Sequence, residues 1–345
     1  MAGTRYRKRS LAEAKAICAR DRPRIVELDH QACYRIEKPW PDLTPYDFIV
    51  FNTSGGKDSA ASGVTLQLMA KHYGVQDRLL GLHCDLGRVE WPGAPAAAKR
   101  QCKALGIPFY VRSLIGTHLT GRFRAPNTRP VYYERERVGD LLDWVWHRHL
   151  QLKARGDGKK ISPWPDGRNR YCTSEYKRRV AKNFYIELAE EWYRRNPRAR
   201  RRCRILDVVG IRCEESDTRC SVDSFRSPRS DDWQTKDYWI DSWFPPFCLD
   251  TDEVWKVIRK SRIPVHRAYS WGMPRLSCCL CFFGNCDAHL IAGSRNPKLL
   301  KAYADMERKT GWQFRPTRYS ANDLVTLLRG GVKPPKKAAM YLGNC

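Results

Sequence analysis

The chain has 345 residues, with 63 Lys and Arg against 37 Asp and Glu, for a formal net charge of +26. Hydrophobic residues make up 42% and include 12 Trp, enough to build a real core, which excludes a wholly disordered basic tail protein. No apolar run approaches the roughly 18 residues of a membrane-spanning helix. No apolar stretch follows the basic start Arg5 to Arg9 either, so a cytoplasmic protein without a secretory signal is expected.

Residues 1–45 read as a basic arm with a short helix from Leu11 to Ala19 and a linker punctuated by Pro39, Pro41 and Pro45. From Tyr46 the pattern changes to an apolar strand, Asp47 to Asn52, then Gly55-Gly56, then a helix from Ser59 to Tyr73. A strand from Leu79 to Cys84, a helix from Ala94 to Leu105 and a strand from Pro108 to Arg112 follow. Long helices are expected at Tyr132 to Leu150 and Ser174 to Arg194, and a buried strand at Ile205 to Ile211. Ser221 to Asp241 reads as polar and irregular, and Thr251 to Ser261 as a helix capped by Asp250 or Thr251. Helices from Pro297 to Thr310 and Ala321 to Leu328, with a basic tail, close the chain. Strands alternating with helices imply an α/β fold, a parallel sheet flanked by helices with right-handed crossovers.

The positive charge is clustered, which favours a polyanionic partner, nucleic acid above all, over a merely solubilising surface. Arg194, Arg195, Arg198, Arg200, Arg201, Arg202 and Arg204 fall in one stretch. A second group runs from His147 through Lys153 and Arg155 to Lys159 and Lys160, and a third holds Lys333, Lys336 and Lys337. The 14 cysteines are uneven too. Cys278, Cys279, Cys281 and Cys286 lie close together, and Cys278-x-x-Cys281 has metal-ligand spacing. Cys84 and Cys102 stand in ordinary contexts and read as buried and inert.

The most informative segment is Asn52-Thr53-Ser54-Gly55-Gly56-Lys57-Asp58-Ser59, between the first strand of the sheet and its helix. Glycines let the backbone turn tightly and approach an anion, and the helix N-terminus offers N–H groups to it. Lys57 adds a charge, and Ser54 and Ser59 add hydroxyls. Four further groups follow in order: His83 to Pro92; Arg170-Tyr171-Cys172-Thr173 with Lys177; Gly210-Ile211-Arg212 with Glu215, Ser216 and Arg219; and Arg275 with Cys278 and Cys281. Arg170, Lys177, Arg212 and Arg219 suit phosphate oxygens or else surface ion pairs. Asp85 and Glu215 suit a phosphate-bound Mg²⁺ or else helix ends.

Ser54 to Ser59 is similar to the signature of the PP-loop ATP pyrophosphatases, the adenine nucleotide alpha hydrolase-like superfamily. Over about 46–290 the ordered motifs resemble its phosphoadenosine phosphosulfate (PAPS) reductase-like branch. The resemblance implies a Rossmann-like HUP/PP-loop domain over 46–290, with a helical, basic C-terminal extension at 291–345 and a cysteine element near their junction. It implies an ATP site at Ser54, Gly55, Gly56, Lys57, Asp58 and Ser59, joined by Asp85, Arg170, Lys177 and Arg219, with Mg²⁺ on the phosphates. Lys57, Asp58, Arg212 and Glu215 are the implied catalytic group. Cys172, Cys278, Cys281 and Cys286 are the implied ligands of a 4Fe-4S cluster, with zinc as the other candidate and Cys279 or Cys248 able to replace Cys286.

Within the ATP users the chain resembles the C component of Dnd-type DNA phosphorothioation systems. That implies adenylylation of a nucleic-acid oxygen followed by sulfur transfer, on DNA ahead of tRNA. A cysteine desulfurase and companion modification subunits are the implied partners. Two other classes stay open. One is a phosphoadenosine or adenosine phosphosulfate reductase, although the terminal Tyr341 to Cys345 departs from the reductases' cysteine-bearing tail. The other is a non-catalytic nucleic-acid-binding regulator.

Overall fold

A computed structural model describes residues 9–28, 33–114, 139–155, 161–167, 169–227, 233–315 and 318–338. α1 (Leu11–Asp21) and a two-stranded antiparallel hairpin, β1 (Arg24–Leu28) with β2 (Cys33–Lys38), precede the main sheet. The hairpin replaces part of the expected irregular arm. Its strands, RIVEL and CYRIEK, carry charges out of strict alternation (Arg24 and Glu27; Arg35, Glu37 and Lys38), which hid the period of two.

The main sheet has six strands in the order β5-β4-β3-β6-β8-β7. They are β3 (Phe48–Asn52), β4 (Leu79–Asp85), β5 (Phe109–Ser113), β6 (Cys203–Val209), β7 (Phe225–Arg226) and β8 (Tyr238–Trp243). All pairings are parallel except that of β7 with β8. The expected irregular stretch from Ser221 to Asp241 thus contains β7 and the start of β8; the mixed run YWIDSW hid a strand whose residues are largely buried. α2 (Lys57–Tyr73) and α3 (Ala94–Ala104) link β3, β4 and β5. α4 (Leu141–Ala154), α5 (Tyr171–Thr173) and α6 (Val180–Arg195) lie between β5 and β6. α7 (Asp217–Cys220) and α8 (Thr251–Ser261) follow β6 and β8, and α9 (Cys286–Arg295), α10 (Pro297–Thr310) and α11 (Ala321–Arg329) end the described fold.

Alternation along the strands divides the core between two faces. Ile49, Phe51, Leu206 and Val208 pack with Leu66 and Met69 of α2 and Cys102 of α3. Val50, Leu82, Ile205 and Ile240 pack with Phe184, Tyr185 and Trp192 of α6. A third cluster gathers α4, α9, α10 and α11 around Trp164, Tyr303 and Phe314.

The long helix expected from Tyr132 begins, within the described residues, at Leu141. There Asp140 accepts from the N–H of Leu142 at 2.9 Å, and Asp143 returns the bond, closing a capping box. The helix expected from Ser174 starts earlier, at Tyr171, and Ser174–Arg179 is wound as a π-helix before α6. The hydrophobic pattern does not report such a local change of pitch. Residues 156–160, with Lys159 and Lys160, and 339–345, with Cys345, lie outside the described residues.

Asp207 is the polar exception on the α6 face. It is buried and accepts from Tyr185 at 2.7 Å, Asn52 at 2.7 Å and Ser242 at 3.3 Å, tying β3, β6, β8 and α6 together. Burial pushes its carboxyl up to about 6, against 3.8 for a free side chain, and the bonds from Tyr185 and Ser242 with the charges of Arg178 and Arg226 offset this only in part. The folded protein therefore holds this proton more tightly than the unfolded chain. That contribution is full below pH ~4 and is lost as pH rises through ~6. Asp207→Asn, which cannot ionise, should gain stability relative to the wild type across that window, by up to about 3 kcal/mol. Urea unfolding at a series of pH values reads the difference; a constant gap between the two proteins would refute it.

Candidate phosphate-loop site

The order in which strands are added reverses between β3 and β6, since β4 and β5 lie to one side of β3 and β6 and β8 to the other, while the two strands stay parallel. In open α/β sheets the crevice outside the carboxyl ends of two such strands is where ligands bind. The segment Thr53 to Gly56 leaves β3 at this point, and Gly210 to Arg212 leaves β6 beside it.

Two glycines make the loop possible. Gly55 has φ +75°, and a Cβ there would stand 2.8 Å from the Cβ of Ala97 on α3. A Cβ on Gly210 would stand 2.7 Å from the backbone of Asp58 and Ser59, so the two loops touch main chain to main chain. Gly210→Ala should therefore push the β6 loop off the N-terminus of α2 and cost about 1–3 kcal/mol. A variant with unchanged thermal stability and unchanged nucleotide affinity would contradict this contact.

The loop is supported from behind by Gln101, which no motif marks, and by His83 and Glu90 of the group His83 to Pro92. Gln101 of α3 is fully buried. It accepts from Thr53 Oγ1 at 2.7 Å and Ser59 Oγ at 3.3 Å, and donates to the carbonyls of Gly56 and Pro264, each at 3.0 Å. His83 of β4 places Nδ1 2.9 Å from the carbonyl of Thr53 and Nε2 3.1 Å from Glu90. Burial works against charge on this ring, but with acceptors at both nitrogens its pKa is raised, and the imidazolium is favoured. The N–H of His266 donates to the carbonyl of Gly55 at 2.9 Å.

In front, the hydroxyl of Tyr269 accepts from the N–H of Lys57 at 2.9 Å. A Cβ on Gly56 would come 3.2 Å from that hydroxyl, so the phenol lies against the loop at Gly56 and engages the Lys57 N–H. Tyr269→Phe strands the Lys57 N–H and should destabilise the ligand-free protein by about 1–3 kcal/mol. Urea denaturation without nucleotide measures this, and an unchanged midpoint would refute the bond.

The cations of the site are paired with acids. Lys57 Nζ lies 2.9 Å from Asp58, Arg212 Nε lies 2.6 Å from Asp58, and Arg212 also pairs with Glu214. Lys57 and Arg212 are both almost wholly buried. Burial lowers the Lys57 pKa against the pull of Asp58; burial also works to raise that of Asp58, but Lys57 and Arg212 hold its carboxyl below the usual range. Glu215 pairs with Arg219 and, at 3.3 Å, with Arg275. Lys57, Asp58, Arg212, Glu215 and Arg219 thus form one connected group around the two loops, which Arg275 joins.

The other expected residues divide differently. Asp85 closes β4 and turns its carboxylate onto the N–H of Gly87 at 2.8 Å. Glu215 follows β6, on the far side of β3, so the two acids are held apart and engaged elsewhere. The guanidinium of Arg170 lies 4.8 Å from the ring of Phe283, and the electrostatic neighbours of Lys177 are Cys278, Cys172, Glu90 and Cys281. Both belong to the cysteine side of the molecule. Glu90 reaches both sides, accepting from His83 and acting on Lys177.

Three of the four cysteines meet. Cys172, Cys278 and Cys281 line a cavity of about 30 Å³ with Trp164 and Phe282. Cys286 instead opens α9, near Asp287 and Arg315. Cys279 is buried in the core, its N–H bonded to the carbonyl of Val89, and Cys248 packs with Cys213 and Cys220. Among the described residues no three of His, Cys, Asp and Glu are arranged to hold a metal ion. This arrangement gives no support to the expected 4Fe-4S cluster or zinc ion at those four thiolates.

No protein-family model matches the chain, and no curated protein matches it. Among solved structures, the crystal structure of NAD+ synthetase from Burkholderia pseudomallei is similar with a TM-score of 0.34 and 11% identity, over 86% of this chain and 99% of that one. The α/β class stands on the sheet itself, mostly parallel and flanked by helices. No helix among the described residues is long and apolar enough to cross a membrane.

Proposed function

We propose that the chain is a PP-loop ATP pyrophosphatase that adenylylates an oxygen of a nucleic acid, DNA ahead of tRNA, and prepares it for sulfur transfer. The observation that carries the reading is the loop Ser54 to Ser59 at the sheet's switch point, with buried Lys57 and Arg212 sharing Asp58. Gly55, at positive φ against α3, and Gly56, against Tyr269 and Leu276, are packed too closely to carry a Cβ, so the tight turn of the loop depends on glycine at both positions. The N-terminus of α2 and the two cations supply positive potential there. ATP fits these donors, with Mg²⁺ carried on its own phosphates rather than on Asp85.

In this reading the substrate oxygen attacks the α-phosphorus of ATP, an O–P bond forms, and pyrophosphate leaves. Lys57 and Arg212 exchange their bonds to Asp58 for phosphate oxygens and stabilise the charge that develops on pyrophosphate. A sulfur nucleophile at the oxidation level of hydrosulfide then displaces AMP, which departs with the substrate oxygen. Cys172, Cys278 and Cys281, with Lys177 beside them, are the thiols available for its delivery. One takes the outer sulfur of a desulfurase persulfide by exchange, the desulfurase leaving as a thiol. Attack by a second thiol on the new persulfide releases hydrosulfide and leaves a disulfide for a cellular thiol to reduce. A cysteine desulfurase and companion subunits would then supply the sulfur and present the nucleic acid. No step runs through an iron–sulfur cluster or zinc ion.

Pyrophosphate release from ATP, with and without duplex DNA or tRNA, tests this. Release should depend on nucleic acid, and Lys57→Ala should lower it by about 100-fold or more. No turnover of ATP with either polymer would sink the reading.

A further inference from the structure

The seven arginines from Arg194 to Arg204 lie at the end of the sheet opposite the phosphate loop. α6 ends at Arg195 and β6 begins at Cys203, so their connection sits at the N-terminal ends of the parallel strands. Arg201 confirms the position, gripping Asp47 just before β3 with two bonds of 2.6 and 2.7 Å. The seven residues of β6 separate this end from the loop by about 20 Å. The ridge therefore cannot contribute to a nucleotide bound at Ser54 to Ser59.

Its internal chemistry is specific. Glu191 pairs with Arg194 and Arg195, Asp47 with Arg201, and Asp241 with Arg204 at 3.3 Å. Among the described residues no carboxylate pairs with Arg198, Arg200 or Arg202, and all three are exposed. Aromatic faces hold the guanidinium planes: Arg201 stands 4.8 Å over Trp192, Arg202 5.7 Å over Trp239, and Arg204 5.3 Å over Tyr46. The stretch contains no lysine and no acid. Arginine forks match phosphate oxygens in pairs and resist dehydration less than an ammonium does.

We propose that this ridge is a docking surface for the phosphate backbone of nucleic acid, separate from the site of chemistry, with Arg198, Arg200 and Arg202 making the contacts. It deepens the reading above, since it says where a polymeric substrate is gripped, but the surface itself does not require ATP chemistry.

The test uses the full chain and a fluorescent duplex of about 30 base pairs, titrated between about 50 and about 200 mM salt. The triple variant Arg198→Ser, Arg200→Ser, Arg202→Ser should bind more weakly, and its slope of log affinity against log salt should fall by about 2–3, near 0.9 per lost phosphate contact. The corresponding triple lysine variant should keep most of that slope. ATP affinity, measured by equilibrium dialysis, should be equal in wild type and serine variant. An unchanged slope in a serine variant with a native circular-dichroism spectrum would overturn the proposal. So would unchanged duplex binding with lost affinity for polyglutamate, which would assign the ridge to an acidic protein. A wild type that binds duplex but no ATP would instead remove the proposed function and leave the docking surface standing.

Discussion

The amide of Gln101 accepts from Thr53 and Ser59 and donates to Gly56 and Pro264, so the two ends of the phosphate loop and the wall beside it are held by one buried side chain. The loop needs such a restraint because glycine contributes no side chain to pack and loses the most backbone freedom on folding. Each bond is modest by itself, but a buried carbonyl left without its donor costs about 1–3 kcal/mol. His83 adds a second tie at Thr53, and the close approach of Gly55 to Ala97 leaves no slack between the loop and α3. The shape of the site is thus decided one layer below the residues that face a ligand.

Charge at the site is balanced rather than accumulated. Four cations meet three acids: Lys57 and Arg212 share Asp58, Arg212 also meets Glu214, and Arg219 and Arg275 share Glu215. An arriving triphosphate would trade places with carboxylates, and the carboxylates would shift onto neighbouring donors such as Thr251, which already bonds Glu214 at 2.7 Å. The excess of +26 consequently resides elsewhere, in part on the ridge at the far end of the sheet. The proposed nucleotide site is thus kept close to charge balance while the surplus lies on the outer surface.

What could be read from the sequence was local in origin. An apolar run followed by Gly55-Gly56 specifies strand, turn and helix within one stretch, and Asp250, Asn296 and Ser320 announce α8, α10 and α11 because a cap bonds within its own first turn. The participation of Gln101 and Tyr269 had no such signal, and His83 and Arg275 were marked only as members of motif groups, not for these contacts. Each meets the loop or its cations only after strands and helices distant in the chain have packed, and an ordinary Gln or Tyr carries no mark of that. The cysteines show the converse. Spacing placed Cys278 and Cys281 together, and motif order brought Cys172 to them, but nearness in the chain said nothing about the direction α9 takes Cys286. β8 was missed because Asp241, a polar break in its pattern, is buried against Tyr46 at 2.7 Å and Arg204.

The pairing of β3 with β6 has a temporal side. Asp58 and Arg212, which share an ion pair, are 154 positions apart in the chain. At about 5–20 residues per second, the ribosome makes the second partner roughly 8–30 seconds after the first. Throughout that interval the loop glycines and Lys57 exist without the strand that completes their crevice, and β3 has an open edge where β6 will lie. A half-made chain therefore lacks the finished crevice, and the arrival of Arg212 is the step that completes the proposed nucleotide site.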